Sequence, residues 1–172
     1  MPELDNISKH RLPFLWSVVW ANLKQPLRSG QPQKAGLLRK LSRRPASITL
    51  RHLDCGSCNG CELELNALTN PIYDIEQYGI GFEASPRHAV YLAMTGPFTR
   101  GLEQAALRTL DAMPEPGIIA IGDCALGIGP FEESYAIQER PAEIEGAIRL
   151  PIPGCPPSPQ EILEALAKWL RS

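Results

Sequence analysis

The sequence predicts an α/β protein built on a parallel sheet, and three observations carry that reading. Short apolar runs of buried-strand length, "AVYLAMT" from Ala89, "GIIAIGD" from Gly117 and "AIRLPI" from Ala147, are separated by stretches of helical periodicity. Strands that alternate with helices in this way pair in parallel, with the helices packed on the sheet. Five cysteines, Cys55, Cys58, Cys61, Cys124 and Cys155, fall just past the carboxyl ends of predicted strands. In an open α/β sheet those ends share one edge, where ligands bind.

Residues 1–46 read as an N-terminal arm and residues 47–172 as the α/β body. Within the arm, "LPFLWSVVWANLKQPL" sets Leu12, Leu15, Trp16, Val19, Trp20, Leu23 and Leu27 on one helical face. Pro13 suits a first helical turn and Pro26 ends the pattern. A connector, "RSGQPQKAG", and a short basic stretch, "LLRKLSRR", follow. The body opens with the strand candidate "SITLRHL" and the helix candidate "CELELNALT", which stops before Pro71. The strand from Ala89, the helix "RGLEQAALRTLDAM", the strand from Gly117 and the strand from Ala147 come next. The last helix is "SPQEILEALAKWLRS", where Ser158 and Glu161 form a capping box.

The chain has 172 residues, 44% hydrophobic and 21% charged, which suits one soluble domain with its own core. No apolar run approaches the roughly 18 residues of a membrane span, and no secretory leader is recognisable at the N-terminus. A cytoplasmic location is expected. The net charge of −2 conceals an asymmetry. Residues 1–51 carry ten basic residues against Glu3 and Asp5, so the arm is basic and the body acidic. A basic amphipathic arm on an acidic body suggests two tasks.

Thiols in the cytoplasm are kept reduced, so five cysteines point to metal binding or catalysis rather than to disulfides. Thiolates select zinc, Cu(I) or iron–sulfur clusters. Zinc favours paired knuckles, whereas Cys124 and Cys155 are single residues on separate loops. Single ligands on separate loops suit a cluster gripped at its corners, as in 4Fe-4S proteins. The glycines of "GSCNGCE" let backbone pass close to a bulky group, and the helix that follows offers its positive end to an anionic cluster. Buried structural cysteines are the alternative for any one thiol, but they do not explain three clustered and two at equivalent strand ends.

The motifs "SCNGCELE", "SPRHAVYLAMTG", "GDC" and "PGCPPSPQEIL" resemble the small, electron-transferring subunit of membrane-bound (group 4) nickel–iron hydrogenases, formate hydrogenlyase type. The same superfamily includes the B (PSST) subunit of respiratory complex I. The resemblance covers about residues 47–170. It implies a flavodoxin-like parallel sheet flanked by helices and one proximal 4Fe-4S cluster. It implies as partners a nickel–iron large subunit, a ferredoxin-like iron–sulfur subunit and integral membrane subunits reached through the arm, at the cytoplasmic face of the membrane. Complex I subunits typically carry adjacent cysteines in the first motif, whereas Cys58-Asn59-Gly60-Cys61 has the hydrogenase spacing. The 17 residues after Cys155 leave room for a single cluster. Val90 stands where the family often has Asp, and Gly127-Ile128-Gly129 where Gly-Gly is common. By motif, the cluster ligands are Cys58, Cys61, Cys124 and Cys155, with Cys55 left over beside the cluster. The competing assignment, a ferredoxin-like triplet of Cys55, Cys58 and Cys61, lacks a nearby fourth cysteine and proline.

Other residues have two readings each. Glu62 and Glu64 open a helix, where acids favour the helix dipole; a carboxylate beside a cluster could instead move protons near the large subunit. Arg87 and His88 sit in a turn, or lie beside the cluster or a partner. The Trp16 and Trp20 face suits packing on a membrane subunit or in the headgroup zone, although a core helix has the same pattern. Nucleic acid is not expected as a partner, because the body has no groove-reading motif. The leading expectation is an electron relay to a nickel–iron site. The same relay in a quinone- or sulfur-reducing complex, and a zinc-stabilised nucleic-acid-binding module, are the alternatives.

Overall fold

The computed structural model describes residues 47–170. Five strands form one sheet: β1 (Ile48–Asp54), β2 (Ile80–Phe82), β3 (Tyr91–Thr95), β4 (Ile118–Ile121) and β5 (Ile148–Ile152). Four α-helices accompany them: α1 (Gly60–Leu68), α2 (Glu103–Asp111), α3 (Ala142–Ala147) and α4 (Pro159–Trp169). Every strand pair is parallel, in the order β2-β1-β3-β4-β5. This is the flavodoxin-like order, with its reversal between β1 and β3.

The central strands are apolar on both faces because both faces are covered. Successive residues point to opposite sides, and the packing follows that period of two. Ala93, Ile119 and Ile121 join Leu65, Leu68, Ile162, Leu163 and Leu166 in one core, under α1 and α4. Leu92, Met94, Ile118 and Ala120 join Ala106, Leu110, Ile144 and Ala147 in the other, under α2 and α3. Pro151 lies within β5, where an edge strand tolerates the missing N–H.

The α/β expectation holds in every long element. The capping box at Ser158 forms, with Glu161 N–H bonded to the Ser158 hydroxyl and the Glu161 carboxylate accepting from Ser158 N–H at 2.8 Å. Two elements were not anticipated. β2 is three residues long with Gly81 in the middle, and α3 ends at Ala147, which the sequence assigns to the following strand. The arm, including the Trp16 and Trp20 face, lies outside the described residues. Among the described residues no helix is long and apolar enough to cross a membrane.

Candidate metal centre

Asp54, Thr95, Ile121 and Ile152 stand in register across four parallel strands, so the chain leaves the sheet along one edge. The cysteines follow within a few residues of it. The first loop is folded by Asp54, whose Oδ1 accepts the N–H groups of Gly56 at 2.7 Å and Ser57 at 2.6 Å. A short carboxylate bonding its own backbone two and three residues on is a local turn device. Cys55, before the turn, still behaves as strand. Its N–H donates to Thr95 O at 2.9 Å, and its carbonyl accepts from Thr99 N–H and from the Thr99 hydroxyl. Its side chain is 0% exposed and packs in the core with Leu92, Met94 and Phe98. Burial first, then the Asp54 carboxylate, push its thiol up to about 12.

After the turn, Asn59 takes a left-handed conformation (φ 70°) and α1 begins with no side chain capping its first turn. Cys58 is exposed and Cys61 half-buried. The Cys61 thiol is also pushed up to about 12, by burial first, then by the Glu62 carboxylate, then by Cys124, Cys58 and Cys155. The Cys124 thiol is raised by burial, then by Cys155, Cys58 and Asp123, against a backbone hydrogen bond from Phe131. Four thiols from three loops therefore lie within one electrostatic neighbourhood, and Cys55 is outside it.

Two glycines make room for this group. A Cβ at Gly122 would lie 2.5 Å from Cys61 Sγ, and one at Gly129 would lie 2.4 Å from Cys124 Sγ. A Cβ at Gly60 would sit 3.5 Å from Cys58 Sγ and 3.7 Å from Pro156, which brings the Cys155 loop against the start of α1. Among the described residues, no three Cys, His, Asp or Glu side chains close on a point that could hold one metal ion. The donor set consists of soft sulfur ligands. Its number and its spread over three loops fit a polynuclear iron–sulfur group gripped at its corners. Binding such a group would strip the thiol protons, because a metal ionises a coordinating thiol outright.

Glu62 does not simply face the helix dipole. It is buried, with Ser57 Oγ donating to Oε2 at 2.6 Å and the Thr95 hydroxyl donating to Oε1. His52 Nε2 lies 2.9 Å from Thr95 Oγ1 and 3.7 Å from Glu62 Oε1. Burial lowers the His52 pKa, with Glu62 and Asp54 opposing. These residues tie β1, the cysteine loop, α1 and β3 together. Glu64 is half-buried, two residues further along α1. Arg87 and His88 are exposed in a short turn (Pro86–His88) at the amino end of β3, the sheet edge opposite the cysteines. That placement takes them away from the thiols.

Several site residues escaped the sequence reading: Asp54, Ser57, Thr95 and Asp123, together with Arg140. Arg140 donates to Ala125 O at 2.7 Å and to Glu145 at 2.5 Å, bracing the loop after Cys124. A signal was present for two of them. "LDC" and "GDC" each set an aspartate between an apolar strand and a cysteine, the position from which a short carboxylate captures loop N–H groups.

The chain is 40% identical over 138 residues to formate hydrogenlyase subunit 7 of Escherichia coli, covering 80% of this chain and 52% of that protein. It thus spans about half the length of that relative. It is 40% identical over 129 residues to the probable membrane-bound hydrogenase subunit mbhJ of Pyrococcus furiosus, covering 70% of this chain and 76% of that one. Its fold matches a chain in the structure of the membrane-bound sulfane sulfur reductase, an archaeal respiratory membrane complex. The TM-score is 0.61 at 23% identity, over 78% of this chain and 74% of that one. The sequence pattern of the NADH ubiquinone oxidoreductase 20 Kd subunit matches residues 58–169, and the chain belongs to that family.

Proposed function

We propose that this chain is the electron-relay subunit of a membrane-bound hydrogenase, holding one 4Fe-4S cluster between Cys58, Cys61, Cys124 and Cys155. The observation that carries the reading is the convergence of four thiols from three strand-end loops, with the fifth sealed in the core. When bound, such a cluster takes up and gives off single electrons. The protein's part is to place and insulate it. Glycines clear the space around Cys61 and Cys124. The uncapped first turn of α1 supplies backbone N–H groups suited to an anionic sulfur cage. The exposed thiols Cys58 and Cys155 leave one side open to a partner. The loop after Cys124 exposes Ile128, Phe131 and Tyr135. A cleft of about 640 Å³, lined by Phe98, Cys124 and Phe131 among others, lies beside it. Exposed apolar groups on the loop that follows Cys124 suit docking of a large subunit. Electrons pass between a ferredoxin-like subunit and a nickel–iron site on that large subunit, and the arm, through Trp16 and Trp20, attaches to integral membrane subunits at the cytoplasmic face.

Elemental analysis of anaerobically purified protein tests this. The reading expects about four iron and four sulfide per chain; one zinc without sulfide would overturn it and favour the zinc-stabilised module. A second reading keeps the relay but places it in a quinone- or sulfur-reducing complex, and the fold shared with a chain of the sulfane sulfur reductase is compatible with it. The large subunit decides between them: two CxxC pairs for nickel favour the hydrogenase, and their loss favours the second reading.

A further inference from the structure

We infer that Asp123 is a positioning residue that locks the two single-cysteine loops to each other, fixing Cys124 relative to Cys155. The inference rests on the proposed cluster site for its consequence, but not for its geometry. β4 and β5 pair in register as far as Ile121 and Ile152. Past that point the strands have ended, yet the two chains remain bonded. Gly122 N–H donates to Ile152 O at 2.8 Å, and Asp123 N–H donates to Gly154 O at 2.8 Å. The return bond comes from a side chain: Gly154 N–H donates to Asp123 Oδ1 at 2.7 Å. Asp123 and Gly154 therefore exchange two hydrogen bonds, and each directly precedes a cysteine. The clamp spans 31 residues of sequence and holds the two thiols that have no CxxC partner.

The backbone at Gly154 is committed to this arrangement. Its φ of +139° is one that side-chain-bearing residues rarely adopt, and a Cβ there would meet Pro157 Cα at 2.6 Å. Past the strand ends, among the described residues, only two backbone bonds, Gly122 N–H to Ile152 O and Asp123 N–H to Gly154 O, join these loops, and the Asp123 carboxylate adds the one side-chain bond between them. The Asp54 carboxylate folds the first cysteine loop onto itself; the Asp123 carboxylate instead joins two loops. An acceptor oxygen at this position is what the geometry requires, so Asn should replace Asp and Ala should not.

The test uses the full chain, purified anaerobically, as wild type, Asp123→Asn, Asp123→Ala and Asp123→Ser. Two readouts are taken: amide hydrogen exchange at Gly154, and iron content with the EPR signal of the reduced protein. The clamp predicts that Asp123→Ala speeds Gly154 exchange at least about tenfold and loses or converts the cluster, while Asp123→Asn keeps both near wild type. If Asp123→Ala does not fold, Asp123→Ser, whose hydroxyl is one bond nearer the backbone than the carboxylate oxygen, must show the same two losses. Unchanged Gly154 exchange in the folded variants, or full iron with a wild-type signal, would overturn the inference. So would equal loss in Asp123→Asn, which would assign the effect to charge. A wild-type chain without iron or sulfide would sink the proposed cluster, and Gly154 exchange would still decide whether the clamp exists.

Discussion

Cys55 and Cys61 both hold their thiols near 12, for different reasons. Cys55 is raised by burial among apolar side chains and by one carboxylate, whereas Cys61 is raised also by three other thiols. The first is the environment of a packing residue; the second is set also by the neighbouring Glu62 carboxylate and thiols. A buried thiol stays protonated where the same thiol in the unfolded chain has ionised. The folded state then binds more protons, so stability falls as pH rises from about 9 toward 12. Cys55→Ala should lessen that alkaline decline in the apoprotein and leave the part due to Cys61 in place. In the same apoprotein at about pH 8, iodoacetamide should modify the exposed Cys58 and Cys155 readily and leave Cys55 untouched until the chain is unfolded. Peptide mass spectrometry follows each site, and native-state labelling of Cys55 at the rate of Cys58 would contradict its burial.

At the scale of elements, α4 was the most legible, because its signals are local: a capping box, Pro159 in the first turn, and an apolar face that reappears in the core as Ile162, Leu163 and Leu166. Leu166 is fully buried, so Leu166→Ala should cost about 3 kcal/mol through lost burial and a cavity. Ser158→Ala should cost about 1 kcal/mol by leaving the first turn uncapped. Chemical denaturation of the apoprotein measures both, and a Ser158→Ala loss as large as that of Leu166→Ala would mean that the helix is held by its cap rather than by its packing. The strands β3 and β4 were legible as continuous apolar runs because the sheet buries both their faces. β2 was not, since three residues including a glycine carry no periodicity. The cysteines could be placed at one edge from the strand pattern alone, but their scaffolding could not. The bonds from Thr95 to Glu62 and from Gly154 to Asp123 join residues about thirty positions apart, and only register across the sheet reveals them.

For the whole molecule, one parallel sheet delivers its loops to a common edge, and the charge of the chain is divided between a basic arm and an acidic body. If the arm docks on membrane subunits, Trp16→Glu with Trp20→Glu should release the complex from membranes and leave the cluster intact. Membrane fractionation with iron analysis checks this; cluster loss with attachment unchanged would assign the helix to the core instead. In the proposed function four named thiols, and not the fifth, hold one cluster. Its most direct measurement is iron content with the EPR signal of the dithionite-reduced protein, taken for each cysteine changed singly to serine. Cys58→Ser, Cys61→Ser, Cys124→Ser and Cys155→Ser should each lose or convert the cluster, while Cys55→Ser keeps about four iron per chain. A cluster-free Cys55→Ser protein beside a normal Cys124→Ser or Cys155→Ser protein would contradict the account and assign the site to the Cys55, Cys58 and Cys61 triplet.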